Sequence, residues 1–171
     1  MGKRSEFDRI ERDYYPTPLE AVKPLISHLP EIFNFIEPCA GDGRLVNHIL
    51  LNTKSDCIDA YDIEPQSNSI RLGNVFDIPC VKPDLFITNP PWDRKLLHPI
   101  IEHLSNIAPT WLLFDADWMH TKQSSELIKK CKMIVSVGRV KWIEDSKMTG
   151  KDNCAWYLFG NGNYETKFIG R

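Results

Sequence analysis

Short apolar runs recur along the chain, and most are separated by stretches with helical spacing. Residues 33–36, 57–62, 84–88, 110–114, 133–137 and 154–159 each have the length and near-continuous apolarity of a strand buried on both faces. Between them, 45–51, 96–104 and 124–131 place apolar residues three and four apart, as helices do. Thr17-Pro18-Leu19-Glu20 predicts a capping box with proline at the first helical position, opening a short amphipathic helix that ends near residues 28–30. Parallel neighbours need a crossover, which these helices supply. The last two apolar runs have only a loop between them and are expected to pair antiparallel. With a brief third strand before Gly73, the pattern predicts a mostly parallel seven-stranded α/β sheet with an antiparallel last strand.

At 171 residues the chain fits one domain, and 42% apolar with 26% charged residues is ordinary globular composition. Residues 1–12 alternate in charge and are expected to be a disordered arm or a flap. That start is polar, and no apolar run approaches the ~18 residues of a membrane span, so neither a signal peptide nor a membrane partner is expected. Five cysteines lie far apart with no CxxC pair, and the five histidines form no HxxxH pair. This argues against a disulfide framework and a metal site, and for a reducing, cytoplasmic setting. Net charge is −2, but residues 86–171 carry twelve Lys and Arg against nine Asp and Glu. Eight of those basic residues fall in 120–151, a candidate basic face.

In open α/β sheets ligands bind beyond the carboxyl ends of the strands. After the first strand stands Glu37-Pro38-Cys39-Ala40-Gly41-Asp42-Gly43. Two glycines at a strand-to-helix turn allow close backbone approach to a ligand. The dinucleotide fingerprint is absent, because its third glycine position is Val46. After the second strand, Asp62 can accept both hydroxyls of a ribose. Together these point to a nucleoside-containing cofactor. Gly73-Asn74-Val75-Phe76-Asp77 adds a carboxylate and an aromatic ring beside it. After the fourth strand comes Asn89-Pro90-Pro91-Trp92. Two prolines remove two N–H donors and leave carbonyls free. Asn89 brings an amide that can accept, and Trp92 a flat face. The set suits a planar substrate bearing an NH2 group, with Asn89 Oδ1 and the Pro90 carbonyl accepting its two protons.

In this chain order these motifs resemble the class I S-adenosylmethionine-dependent methyltransferases, specifically the amino-methyltransferases with a [D/N/S]PP[Y/F/W] motif. That group includes DNA adenine-N6 and cytosine-N4, RNA adenine-N6 and protein-glutamine enzymes. The chain, including residues 117–120 and 138–142, also looks like small methyltransferase-like proteins of phages and prophages. The resemblance implies a Rossmann-like fold with S-adenosyl-L-methionine as cofactor. It implies that Glu37, Pro38, Cys39, Ala40, Gly41 and Gly43 line the methionine and ribose side. Tyr15 and Thr17 would line the methionine end, where Tyr14-Tyr15-Pro16-Thr17-Pro18 is similar to the N-terminal motif of gamma-ordered DNA enzymes. Asp62 would bind the ribose, Ile63 would pack on adenine, and Asp77 would bind adenine N6. Asn89, Pro90, Pro91 and Trp92 would form the catalytic motif, with Asn89 also beside the cofactor.

The expected acceptor is an exocyclic amine of a nucleic-acid base, adenine N6 in DNA first, with RNA also open. Residues 138–153 form a candidate substrate loop, with Lys147 and Lys151 as phosphate contacts. Asp117-Trp118-Met119-His120 borders the same cleft. Trp118 is a pocket wall or a core anchor, and His120 a proton acceptor, a phosphate contact or structural. A protein or small-molecule amine methyltransferase, and a cofactor-binding subunit without its own activity, remain alternatives. A homodimer or a partner subunit is also open.

Overall fold

The computed structural model describes residues 15–143 and 150–171. The expected arm at 1–12, Tyr14, and Lys147 in the 138–153 connection lie outside them. The described elements run α1 (Leu19–Ile26), β1 (Ile32–Glu37), α2 (Arg44–Asn52), β2 (Lys54–Asp62), β3 (Arg71–Leu72), β4 (Leu85–Thr88), α3 (Arg94–Ile107), β5 (Thr110–Asp115), β6 (Cys131–Arg139), β7 (Asn153–Phe159) and β8 (Lys167–Ile169). They form one sheet in the order β3-β2-β1-β4-β5-β7-β6-β8. Its β3-to-β5 half is parallel throughout. β7 runs antiparallel between β5 and β6.

The sheet is covered on both faces, and strand alternation decides which residue goes where. On β5, Trp111 and Leu113 join a core with α1 and α2, through Ala21, Val22, Leu25, Leu45 and Ile49. Leu112 and Phe114 join the opposite core with α3, through Leu97, Ile100, Ile101 and Leu104. Each face loses water from a continuous apolar surface, which is the main driving force for the fold. Side-chain hydrogen bonds then fix register. Asn34 and Asp84 exchange bonds with each other's backbone N–H at 2.9 and 3.0 Å where β1 and β4 begin. Trp156 Nε1 donates to the Ala21 carbonyl at 2.8 Å and docks α1 on β7.

Three expectations are corrected. Among the described residues the sheet has eight strands, because β8 adds a parallel edge to β6, so the antiparallel strand β7 is not the last. Residues 124–131 form no α-helix. Short 3-10 turns at Lys122–Ser124 and Leu127–Lys130 replace it, and Cys131 already belongs to β6. Ser124 and Ser125 donate their hydroxyls to the Thr121 and Lys122 carbonyls, a local alternative to helix propagation. Thr17 does not cap α1: Pro18 occupies the N-cap and no side chain caps the helix. The Thr17 hydroxyl is engaged elsewhere.

Candidate active site

The carboxyl ends of β1, β2 and β4 open into one cavity of about 890 Å3. One wall comes from β1 and the turn after it. Glu37, the last residue of β1, is only 2% exposed, and its Oε2 has no hydrogen-bond partner. Burial pushes its carboxyl well above the ordinary value, while a backbone hydrogen bond from Val46 opposes this and nearby Asp62 and Asp42 reinforce it. A buried, unpartnered carboxyl facing a cavity calls for a cationic or N–H donor ligand.

The following turn is locked to β2 through main-chain groups. The Ala40 N–H donates to the Tyr61 carbonyl at 3.0 Å, and Gln66 N–H to the Gly41 carbonyl at 2.9 Å. The Asp62 carboxylate receives the Gly41 N–H on Oδ2 at 2.9 Å and the Glu64 N–H on Oδ1 at 2.8 Å. Each oxygen therefore keeps acceptor capacity, in a fixed orientation, for a diol. Gly41 sits at φ 53°. Gly43 does not line the cavity. It is the left-handed N-cap of α2 at φ 82°, and a Cβ there would approach Ile70 Cδ1 at 3.1 Å. Cys39 lines the cavity, and burial raises its thiol pKa.

The opposite wall is built from β4 and the segment before α1. Asn89 Nδ2 donates to Thr17 Oγ1 at 3.2 Å and, at a longer 3.4 Å, to the Tyr15 carbonyl. Asn89 Oδ1 accepts from Trp92 Nε1 at 3.2 Å. Trp92 meets Trp142 edge-on, with centroids 5.8 Å apart, and Tyr15 packs on Trp142 at 6.3 Å. Tyr15, Thr17, Asn89 and Pro91 line the cavity, whereas Pro90 is buried and Trp92, expected to present its face there, is packed against both cores outside the lining.

The expected site residues thus separate into two groups. Tyr15, Thr17, Glu37, Pro38, Cys39, Ala40, Gly41, Asp62, Ile63, Asn89 and Pro91 surround one cavity. Asp77 stands outside that lining and accepts the Asn74 N–H at 2.9 Å, bracing the turn that presents Val75 and Phe76 to the cavity. Trp118 is a core anchor: it is 1% exposed, among Phe114, Tyr157 and Phe159, and its Nε1 donates to His98 Nε2 at 2.9 Å. Burial lowers the His98 pKa, as an accepting imidazole requires. His120 and Lys151 are exposed and away from the lining. Trp142, part of the expected 138–153 substrate loop, packs on Tyr15 and Trp92 but stands outside the cavity lining, whereas Leu45, Leu96 and Ile100 line it and no motif singled them out.

Among the described residues, no cluster of His, Cys, Asp or Glu could hold a metal ion, and no helix is long and apolar enough to cross a membrane.

No protein-family model matches the chain, and no curated protein does. Solved structures do. A Pyrococcus horikoshii protein proposed to be an RNA methyltransferase aligns with TM-score 0.63 and 16% identity, over 88% of this chain and 89% of its own. The M protein of the type I restriction enzyme EcoKI aligns with TM-score 0.58 and 13% identity. The chain has the Rossmann-like class I methyltransferase fold. A dimethyladenosine transferase from Plasmodium falciparum aligns at TM-score 0.54 and 16% identity. The chain covers 62% of that transferase and 44% of the EcoKI protein, against 85% of itself in each case.

Proposed function

We propose that this chain is an S-adenosylmethionine-dependent N-methyltransferase acting on an exocyclic amine of a nucleic-acid base, adenine N6 in DNA first. One observation carries the reading: a single cavity joins the Glu37–Gly41–Asp62 wall to the Asn89–Pro91 wall. Its volume lies within the ~300–1,000 Å3 range of cofactor sites. The cofactor fits the residues present. Glu37 offers a buried carboxyl to the amino acid's ammonium group. Asp62 offers two oriented oxygens to the ribose. Ile63, Val75 and Phe76 offer apolar sides to a purine.

When bound, S-adenosylmethionine supplies an electrophilic methyl group. The chain's own task is to orient and desolvate the amine that attacks it. Asn89 Oδ1 accepts one amine proton, and the Pro90 carbonyl is the candidate for the second. Held so, the nitrogen lone pair points away from both acceptors, and the proton released after attack passes through them to water. Trp92, outside the cavity lining, acts on the target through its indole N–H to Asn89 Oδ1. Lys141 and Lys151, flanking the undescribed 144–149 with Lys147, supply cations for a phosphate backbone. The structural likeness to the EcoKI M protein and to a dimethyladenosine transferase favours nucleic acid over protein as acceptor.

The test is transfer of labelled methyl from S-adenosylmethionine to single- and double-stranded DNA, RNA and lysate protein, with wild type and Asn89→Ala. Label in N6-methyladenine of DNA, seen with wild type and lost in Asn89→Ala, is the expected result. Label in protein alone, or in none of these acceptors, contradicts the reading.

A further inference from the structure

The Asn89 amide is held from three sides, and the partners leave it only one orientation. Trp92 Nε1 is a donor and nothing else, and the Tyr15 carbonyl is an acceptor and nothing else. Turned over, the amide would set its NH2 against the indole N–H and its oxygen against the Tyr15 carbonyl. Thr17 Oγ1 takes part in the same arrangement by accepting from Nδ2.

We propose that Trp92 and Trp142 are positioning residues for Asn89: the Trp92 indole N–H, set by the edge of Trp142, holds the Asn89 amide with its oxygen toward the target. This rests on the methyltransferase reading above and deepens it. Both Nδ2 protons are spent on Tyr15 and Thr17. Oδ1 has two lone pairs and gives one to Trp92. What remains for a target is a single acceptor lone pair. The site therefore selects a group that donates N–H and discriminates against a carbonyl or a ring nitrogen at the same place. An aromatic residue without a ring N–H would keep the packing on Trp142 and not the lock.

Trp142 is itself fixed from two directions. Its neighbour Lys141 donates a backbone N–H to Glu20 Oε1 at 2.9 Å, tying the segment to α1. The Gly150 N–H donates to the Val140 carbonyl at 2.7 Å, and a Cβ on Gly150 would fall 3.0 Å from Trp142 Cδ1. Trp142 thus reaches the Asn89 amide through Trp92.

Two readouts test this, one of them independent of turnover. Hydrogen exchange of the Trp92 indole N–H, assigned as the signal absent from Trp92→Phe, is expected to be slow in wild type. It should quicken at least about ten-fold in Asn89→Ala and in Trp142→Ala, since protection tracks the closed hydrogen bond. Equal exchange in wild type and Asn89→Ala overturns the lock, and equal exchange in Trp142→Ala overturns the role of Trp142. In methyl transfer, Trp92→Phe is expected to lower kcat about five-fold, the scale of one neutral hydrogen bond, with cofactor KM unchanged. Unchanged kcat in Trp92→Phe overturns the lock while leaving the enzyme assignment standing. Full activity in Asn89→Ala would instead overturn the assignment itself.

Discussion

The two walls of the cavity are built by different means. The β1–β2 wall is held by main-chain donors and a single side chain: Gly41 and Glu64 N–H donate to the Asp62 carboxylate, Ala40 N–H donates to the Tyr61 carbonyl, and Gln66 N–H donates to the Gly41 carbonyl. All these partners lie within one β-α-β step. The β4 wall is held largely by side chains drawn from the whole chain, with Thr17, Asn89, Trp92 and Trp142 in one network. Backbone groups survive any substitution but proline, so the first wall, apart from Asp62 and Glu37, suits a ligand that never changes. A side-chain network can be retuned one residue at a time, which suits an acceptor that differs between relatives of one fold.

If the walls divide the labour this way, variants should separate binding from turnover. The largest effect is expected on the β4 wall. Asn89→Ala should lower kcat about 10²–10³-fold, by analogy with loss of one oriented polar contact at a reacting centre, with cofactor affinity changed less than about three-fold. Parallel loss of both quantities would merge the two walls. On the other wall, Asp62→Ala removes a carboxylate that takes two backbone N–H groups and is proposed to hold the ribose. Cofactor affinity should fall about 10–100-fold by calorimetry, the range of hydrogen bonds to charged groups.

Glu37→Gln sharpens the contrast through pH. Burial holds the Glu37 carboxyl above its ordinary 4.5, so the folded chain keeps this proton where the unfolded chain has lost it. Its contribution to stability is complete below that ordinary value and is lost as pH climbs through the raised one. Glu37→Gln should therefore raise the ligand-free Tm at alkaline pH, at roughly 2–4 °C per kcal/mol for a chain of this size, and little at pH 4. In wild type, cofactor affinity should rise with pH through the same window, with proton release on binding. In Glu37→Gln that pH dependence should vanish. A Tm–pH curve identical in the two proteins would contradict this.

The smallest effect is expected at Gly43. Alanine there must adopt φ near 82° and meet Ile70. About 1 kcal/mol of stability should go, read as a Tm drop of roughly 2–4 °C, with cofactor binding weakened only slightly.

What could be read in the sequence follows the same division. The glycine turn, Asp62 and Asn89-Pro90-Pro91-Trp92 sit just after strands, where chain order alone fixes their place. The network behind Asn89 spans residues 15 to 142, and no spacing rule links Trp142 to Trp92. Thr17 resembled a helix cap because the local pattern fits one, yet Pro18 takes that position at φ −76°, ψ 155° and frees the hydroxyl for Asn89. β8 escaped notice because it lies at the sheet edge with Phe168 exposed, so it shows no apolar alternation. Residues 124–131 had helical spacing but bury only Ser124, Leu127 and Cys131, too little to hold a short helix against its nucleation cost.

The central claim is that one cavity holds a nucleoside cofactor on its main-chain wall and an amine on its side-chain wall. Calorimetric titration of S-adenosylmethionine into wild type, Asp62→Ala and Asn89→Ala tests it most directly. The account predicts binding to wild type and Asn89→Ala with similar affinity, and much weaker binding to Asp62→Ala. No binding to folded wild type, or equal affinity in all three proteins, would contradict it.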